Sequence, residues 1–295
     1  MLEALPGLLI LLAISGVLYF CLLVAMICWK LTHPPRRTYV SAVARGIAGE
    51  PDELDPPITS TSWSVRSRGR DLPVWDCVGG DPVGPVIIFT HGWGDSRIGS
   101  LCRMPHIMPL ASRLIAFDLP GHGDADGRCR LGLHEHLDLI ALIDHIKVER
   151  VVLFGWSMGA GISIEAALAR PAVVAGIIAE APYRVPITPA RNVLRASRLP
   201  SGLSLLAAMR VLGFGQARVH AFDRATLATQ LSCPLLVLHG QRDTISPEAD
   251  GREIAAAANA TFVSIEGGTH NGLWIRPETV PACVEAVRGF APLAS

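Results

Sequence analysis

The chain has 295 residues, and its 26 basic and 26 acidic side chains give a formal net charge of zero. This balance gives no electrostatic reason to expect a nucleic-acid partner. Half of the residues are hydrophobic, and the length suits one domain of ordinary size with an appended segment. The seven cysteines show no C-x-x-C or Cys/His spacing, which argues against a structural zinc site and a dense disulfide framework and is typical of a reducing compartment.

The first predicted element is a transmembrane anchor at residues 8–29, preceded by a short tail at 1–7. The stretch from Leu8 to Trp29 has no charged residue and is long enough to cross a bilayer as a helix. A cleaved signal peptide is one alternative, but only Glu3 lies where a basic region would be expected, and no small-x-small cleavage site follows. A buried core helix is the other alternative, and the length and position of the stretch argue against it.

Basic residues and prolines follow this stretch. The basic residues are Lys30, Arg36, Arg37 and Arg45. By the positive-inside rule, they predict that the C-terminal side of the membrane protein faces the cytoplasm. Residues 30–57 combine prolines with polar and charged residues, which predicts a linker with little structure. The remaining residues, 58–295, are expected to form the globular domain.

This domain begins with a predicted antiparallel hairpin, at residues 60–68 and 72–78. Apolar strands and helical patterns then alternate along the chain. The predicted strands are 85–90, 114–118, 151–154, 175–179, 234–240 and 261–265, and the predicted helices are 98–108, 133–146, 160–169, 247–259 and 279–290. This alternation predicts an α/β fold with a mostly parallel, doubly wound sheet and right-handed crossovers.

Residues 184–231 interrupt the alternation with short helical pieces punctuated by Pro186, Pro189 and Pro200. An ordinary crossover helix with loops is one interpretation. We favour a small helical lid over a substrate pocket, because loops at the carboxyl ends of strands commonly carry specificity.

Ser157 lies in a G-x-S-x-G motif, between a predicted strand and a predicted helix. So abrupt a turn forces its central residue into a strained backbone conformation and requires small neighbours, here Gly155 and Gly159. It would expose the serine hydroxyl at the carboxyl end of the sheet. The alternatives are an incidental serine in a Gly-rich turn and a dinucleotide site. The glycine spacing does not make the G-x-G-x-x-G of a dinucleotide site.

A serine nucleophile needs a base within hydrogen-bond reach, and that base needs a carboxylate to orient it. Asp243 follows the strand at 234–240, and His270 follows the strand at 261–265, which predicts a Ser157–His270–Asp243 triad. Other candidates near strand ends are Asp250 and Glu180 for the acid, and His91, His122 and His239 for the base. The backbone N–H of Met158, next to the nucleophile at a helix N-terminus, is the expected first donor to an oxyanion.

Two segments, CPLLVLHGQRD at 233–243 and IEGGTHNG at 265–272, resemble the membrane-anchored α/β-hydrolase-domain serine hydrolases. That group includes protein depalmitoylases and lysophospholipid lipases. Phe222-Asp223-Arg224 and the apolar N-terminal stretch are similar to the group as well. The resemblance implies an α/β-hydrolase fold and hydrolysis of acyl esters or thioesters near membranes without a cofactor. It also implies that the Trp93 N–H is the second oxyanion donor.

The predicted function is therefore that of a membrane-tethered serine hydrolase for esters or thioesters with an apolar acyl chain, without a metal or cofactor. The chain lacks the Cys-rich N-terminus of the depalmitoylases. One alternative is a cofactor-free haloperoxidase or perhydrolase that uses the same triad. Another is a non-catalytic membrane scaffold that keeps the fold.

Overall fold

An eight-stranded sheet forms the centre of the domain in the computed structural model, which describes residues 4–215 and 221–293. The strands are β1 (Ser60–Ser67), β2 (Arg70–Val78), β3 (Val86–Thr90), β4 (Arg113–Phe117), β5 (Val151–Trp156), β6 (Val174–Glu180), β7 (Leu235–Gly240) and β8 (Thr261–Ile265). Their order is β1-β2-β4-β3-β5-β6-β7-β8. β1 and β2 form the antiparallel hairpin at one edge, β2 runs antiparallel to β4, and the remaining pairs are parallel. The predicted α/β fold with a mostly parallel sheet is confirmed.

Helices connect these strands and cover the sheet. They are α1 (Ala4–Thr32), α2 (Tyr39–Val43), α3 (Met104–Ile107), α4 (His136–Ile146), α5 (Met158–Ala169), α6 (Ile187–Ala196), α7 (Leu203–Val211), α8 (Arg224–Ala228), α9 (Glu248–Ala257) and α10 (Val280–Arg288). Short 3₁₀ helices occur at Pro51–Glu53, Arg97–Ser100, Met108–Leu110 and Ala291–Leu293.

The central strand β5 shows why the sheet is buried on both faces. All of its residues are buried, and successive side chains of a strand point to opposite faces. Val151 and Leu153 therefore join the apolar layer that contains α4 and α5, whereas Val152 and Phe154 join the layer that contains α3 and α10. Continuous apolar runs of this kind are typical of parallel strands covered by helices on both sides.

The region predicted as a single helix at 98–108 has a different structure. It consists of the 3₁₀ turn Arg97–Ser100, the four-residue α3 and a second 3₁₀ turn, Met108–Leu110. Pro105 and Pro109 explain the interruption, because proline has no backbone N–H to continue a helical hydrogen-bond ladder.

The N-terminal helix α1 has 29 residues, and its segment Pro6–Thr32 is long and apolar enough to cross a membrane. Its N-terminal part is exposed, but its C-terminal end packs on the domain, where Ile27 and Leu31 are buried. The neighbour of this end is α7, within the predicted lid segment. The predicted tail 1–7 and lid 184–231 include residues 1–3 and 216–220, which lie outside the described residues.

The segment predicted as a linker, residues 30–57, is more ordered than its composition suggests. It contains α2 and a 3₁₀ turn, and the Tyr39 hydroxyl donates to the Glu53 carboxylate over 2.6 Å. Arg37 forms an ion pair with Asp95 at 2.8 Å, and Arg36 donates to the Gly123 carbonyl at 3.1 Å. These contacts tie the segment to loops at the carboxyl edge of the sheet.

Candidate active site

Ser157 occupies the turn between β5 and α5, with φ 54° and ψ −115°. This is a strained conformation for a residue with a side chain, and the backbone N–H of Ser157 stabilises it by donating to the Glu180 carbonyl at 2.8 Å. The two motif glycines permit close passage of backbone. A Cβ on Gly155 would lie 2.3 Å from the Gly159 carbonyl oxygen, and one on Gly159 would lie 1.9 Å from that of Thr90. The G-x-S-x-G motif is thus required sterically at this turn.

The structure brings Ser157, His270 and Asp243 together, although the serine and the histidine are 113 positions apart. The His270 Nε2 lies 3.0 Å from the Ser157 Oγ, and the His270 Nδ1 lies 2.7 Å from the Asp243 Oδ2. Because a carboxylate only accepts, Nδ1 carries the ring proton and Nε2 is free to accept the serine proton. This arrangement can activate a serine hydroxyl as a nucleophile.

Both carboxylate oxygens of Asp243 accept hydrogen bonds. Its Oδ1 accepts from the backbone N–H groups of Ile245 and Ser246, each at 2.8 Å. Burial raises the pKa of this carboxyl, but hydrogen bonds from His239 and His270 outweigh burial and lower the pKa to about 2. Asp243 is consequently ionised across the physiological range and can stabilise an imidazolium form of His270.

His239, the third alternative base, lies beside the candidate acid Asp243. Its Nε2 lies 2.9 Å from the Ser246 carbonyl oxygen, so this nitrogen carries the proton. The same nitrogen lies 3.4 Å from the Asp243 Oδ2, and both side chains are fully buried. His239 therefore lies next to the same carboxylate oxygen that His270 contacts. Its position in β7, directly before the turn that carries Asp243, is the only signal in the sequence.

The alternative acids have other partners. Asp250 accepts from the backbone N–H of Arg184 at 3.0 Å. Glu180 forms a buried, two-pronged ion pair with Arg103, at 2.8 and 2.6 Å, and also accepts from the Trp274 indole at 2.9 Å. Both therefore have structural contacts that do not involve His270.

The alternative bases His91 and His122 lie with their rings 4.9 Å apart, and burial lowers the pKa of each. The Nε2 of His91 accepts from the Leu119 N–H at 2.9 Å, so its Nδ1 carries the proton and donates to the Gly92 carbonyl at 2.8 Å. His91 thus stabilises the loop that leads to Trp93.

Trp93 and Met158, the predicted oxyanion donors, both line the cavity beside Ser157. Met158 is the first residue of α5, where the N–H has no partner within the helix. Within residues 4–215 and 221–293, the Trp93 N–H likewise has no backbone acceptor. The two groups are therefore available to a ligand oxygen bound next to the serine.

The cavity beside Ser157 has a volume of about 200 Å³ and mostly apolar walls. Residues of and just before α6 form one wall, among them Pro189, Ala190 and Val193. Tyr183 also lines the cavity, and burial raises its pKa to about 12, which keeps the phenol protonated. An unexpected contributor is Leu31, from the last turn of α1, whose carbonyl accepts from the Trp93 indole at 2.9 Å.

A chain of contacts links the linker segment to this site. The Asp95 carboxylate pairs with Arg37 and also accepts from the Trp156 indole at 3.1 Å. Trp156 is the residue before Ser157, and its ring lies 4.1 Å from the guanidinium carbon of Arg103. Because these contacts join segments that are far apart in the chain, the sequence alone did not indicate them.

Within the described part of the chain, no group of three or more His, Cys, Asp or Glu side chains is arranged to hold a metal ion. The seven cysteines are all free.

Comparisons with known proteins point to one family. A family model described as "Alpha/beta hydrolase family" matches residues 87–282. An epoxide hydrolase of Caballeronia sordidicola is 37% identical over 113 residues, which cover 37% of this chain and 33% of that protein. A pimeloyl-(acyl-carrier protein) methyl ester esterase of Chromobacterium violaceum is 26% identical over 210 residues, covering 58% of this chain and 81% of that protein.

Among solved structures, an esterase of Pyrococcus furiosus has a TM-score of 0.66 and 21% sequence identity, covering 88% of this chain and 98% of the esterase. At this identity, the likeness concerns the fold. The chain spans between 30% and 44% of the length of the first three curated relatives that it matches.

Proposed function

Because the chain belongs to the alpha/beta hydrolase family, we propose that it is a membrane-tethered serine hydrolase that cleaves carboxylic esters or thioesters. The single observation that carries this proposal is the continuous contact from Ser157 through His270 to Asp243, at 3.0 and 2.7 Å, on a strained turn. The similarity to the methyl ester esterase supports ester hydrolysis as the reaction class.

In the first half of the proposed reaction, the Ser157 Oγ attacks the acyl carbonyl carbon while its proton passes to the His270 Nε2. Negative charge develops on the former carbonyl oxygen, and the N–H groups of Trp93 and Met158 stabilise it. The tetrahedral intermediate collapses to an acyl-enzyme. The bond to the leaving alcohol or thiol breaks, and His270 returns the proton to that leaving group.

In the second half, a water molecule gives a proton to His270 and attacks the acyl carbon. Collapse of the second tetrahedral intermediate breaks the bond to the Ser157 Oγ, which recovers its proton, and releases a carboxylic acid. Asp243 stays ionised throughout and stabilises the imidazolium that forms in each half, consistent with its pKa of about 2.

The proposed substrates have an apolar acyl chain, because the cavity beside Ser157 is mainly apolar and is lined by residues of α6 and by Leu31. The proposed membrane attachment rests on α1, whose N-terminal part is apolar and exposed to solvent in the absence of a bilayer. The basic residues after the span favour a cytoplasmic domain. A reporter active only outside the cytoplasm, fused after Ser295, tests that orientation: strong reporter activity would contradict it.

The reaction is tested with p-nitrophenyl esters of increasing acyl length, comparing the full chain with Ser157→Ala. Ser163→Ala is the matched control, because Ser163 is a buried serine of α5, the helix that follows Ser157, and its hydroxyl has no hydrogen-bond partner among the described residues. We expect Ser157→Ala to lose several orders of magnitude in kcat, up to about 10⁶, and Ser163→Ala to stay within a factor of about three. Full activity in folded Ser157→Ala would refute the proposal, and activity on the shortest esters alone would refute the apolar acyl chain.

A further inference from the structure

A groove of about 410 Å³ lies outside the candidate active site, between the C-terminal end of α1, the end of α7 and the loop at residues 128–131. We call it the anchor groove. Its apolar walls include Trp29 of α1 and Val211 of α7, which are 64% and 71% exposed. Large exposed apolar side chains on two neighbouring helices are unusual for a surface that faces only water.

The loop that completes the anchor groove is fixed to the helix. The Cys129 N–H donates to the Thr32 carbonyl at 3.1 Å, so Arg128 and Arg130 flank the last turn of α1. Other carbonyls of this turn are also occupied: that of Cys28 accepts from the Thr32 hydroxyl at 2.8 Å, and that of Leu31 accepts from the Trp93 indole. The negative end of the helix is therefore largely capped beside the two arginines.

The described lining of this groove carries basic side chains and no acidic one. Arg128 and Arg130 are exposed, and both also line an adjoining hollow that contains Arg68 and Arg70. Arg68 pairs with Asp138, but the ion pairs of the described residues do not include Arg70, Arg128 or Arg130. None of the described residues that line the groove or the hollow is acidic.

The position of the groove along α1 indicates which class of ligand it would meet. If the uncharged part of α1 spans the hydrocarbon core, Trp29 lies at the membrane interface, where tryptophan is enriched and where lipid phosphates lie. Guanidinium groups bind phosphate oxygens with paired hydrogen bonds, and the apolar walls suit the upper part of acyl chains. Leu131 lines both this groove and the cavity beside Ser157, so a lipid bound here would lie next to the proposed reaction site.

From this combination, we propose that the anchor groove binds a bilayer phospholipid with an anionic headgroup, whose phosphate is held by Arg128 and Arg130. The proposal rests on the membrane attachment of α1 and not on ester hydrolysis. It assigns a lipid site to the junction of anchor and domain, with Val211 against the acyl chains.

The test uses the full chain carrying Ser157→Ala in nonionic detergent micelles, so that no lipid is hydrolysed. The temperature of thermal unfolding is measured against the mole fraction of phosphatidylglycerol or of phosphatidylcholine. We expect phosphatidylglycerol to raise this temperature at a lower mole fraction than phosphatidylcholine. With Arg128→Gln and Arg130→Gln added, the half-saturating mole fraction of phosphatidylglycerol should rise roughly thirtyfold, because two arginine–surface attractions are removed.

The matched control adds Lys147→Gln and Arg150→Gln, which remove the same charge at the exposed amino end of β5, opposite the candidate site. It should bind like the parent. If Arg128→Gln/Arg130→Gln does not fold, the double variant Arg128→Lys/Arg130→Lys is compared with each single glutamine variant. The lysine variant, which keeps both charges, should bind phosphatidylglycerol more tightly than either glutamine variant.

Three results would overturn the proposal: no preference for phosphatidylglycerol, equal binding by the arginine variant and the control, or an equal temperature rise with inorganic phosphate alone. The last would indicate a free-anion site. Because the binding measurement uses Ser157→Ala, its outcome is independent of whether the wild-type chain hydrolyses esters.

Discussion

Two regions of the molecule are built in different ways. One is the carboxyl edge of the sheet, and the other is the anchor face, formed by the end of α1, by α7 and by the loop at 128–131. At the sheet edge, Ser157, Asp243 and His270 each directly follow a strand or lie in the short turn after one. Parallel strands bring their carboxyl ends together, so short local motifs suffice to assemble the candidate triad. The fold itself sets this geometry.

The anchor face depends on contacts between distant segments. The Trp93 indole meets the Leu31 carbonyl across 62 positions, and the Cys28 thiol lies 3.7 Å from the Ala208 carbonyl oxygen across 180 positions. This face contributes Leu31 to the cavity beside Ser157. The proposed catalytic residues therefore lie on the carboxyl edge of the sheet, whereas the shape of the cavity depends partly on α1, a separate helix that packs on the domain.

After the loss expected for Ser157→Ala, the largest effect is expected from changing the acid at the sheet edge. Asp243→Asn should lower kcat for ester hydrolysis by about 10⁴, because the amide no longer stabilises an imidazolium and favours the wrong tautomer of His270. Asp250→Asn, which changes one of the two alternative acids, should alter kcat less than about tenfold, since Asp250 contacts Arg184. Steady-state kinetics on one ester measure both. A larger loss in Asp250→Asn would reverse the assignment.

A stability effect of about 3–5 kcal/mol is expected behind the elbow, where Glu180 pairs with Arg103. Glu180→Gln leaves the guanidinium buried, with only 6% of its side chain exposed, and without a counter-charge. Asp144→Asn is the control, because its ion pair with Arg170 is exposed and should contribute less than about 1 kcal/mol. Denaturant unfolding of both variants measures the free energies. Equal losses in the free energy of unfolding would show that the buried pair contributes no more to stability than the exposed pair does.

Acid should weaken the domain through Asp243. Its pKa of about 2 lies below the usual unfolded value, so its ionised form stabilises the fold above about pH 4. This contribution, on the order of 2 kcal/mol, is lost as the pH falls from about 4 towards about 2. The measurement is the free energy of unfolding against pH, in the wild type and in Asp243→Asn. Parallel curves below about pH 4 would contradict the low pKa.

The smallest effect is expected where the two regions meet. Trp93→Phe keeps the backbone N–H but removes the indole donor to the Leu31 carbonyl. One lost hydrogen bond should lower kcat by roughly three- to tenfold, through a less fixed oxyanion loop. Trp63→Phe is the matched control, because Trp63 stacks on His145 of α4 and does not line the cavity beside Ser157. An unchanged kcat in Trp93→Phe would show that the contact between Trp93 and α1 does not affect catalysis.

Much of the sheet and the spacing of the candidate triad could be predicted from the sequence, for a physical reason. Buried strands such as β5 and β7 contain continuous apolar runs, and a Cβ on either glycine of the elbow would lie about 2 Å from a backbone oxygen. Such signals are local. Strand bounds accordingly differ from the predicted ones by at most two residues, as at β5, predicted at 151–154 and observed at Val151–Trp156.

What the sequence did not reveal depends on contacts between remote segments. The order in residues 30–57 comes from pairs such as Arg37 with Asp95, which no local pattern encodes. The same holds for Leu31 in the cavity wall and for His239 beside Asp243. The broken helix at 98–108 is different, because Pro105 and Pro109 are local signals in the sequence and each interrupts helix continuity.

The most direct test of the central claim, that Ser157 is an activated nucleophile, is labelling of the full-length protein with a fluorophosphonate probe. The wild type is compared with Ser157→Ala and the buried-serine control Ser163→Ala, with circular dichroism to establish that each is folded. We predict that the wild type and Ser163→Ala are labelled and that Ser157→Ala is not. Equal labelling of Ser157→Ala, or no labelling of the folded wild type, would contradict the proposed triad and favour a non-catalytic role for the domain.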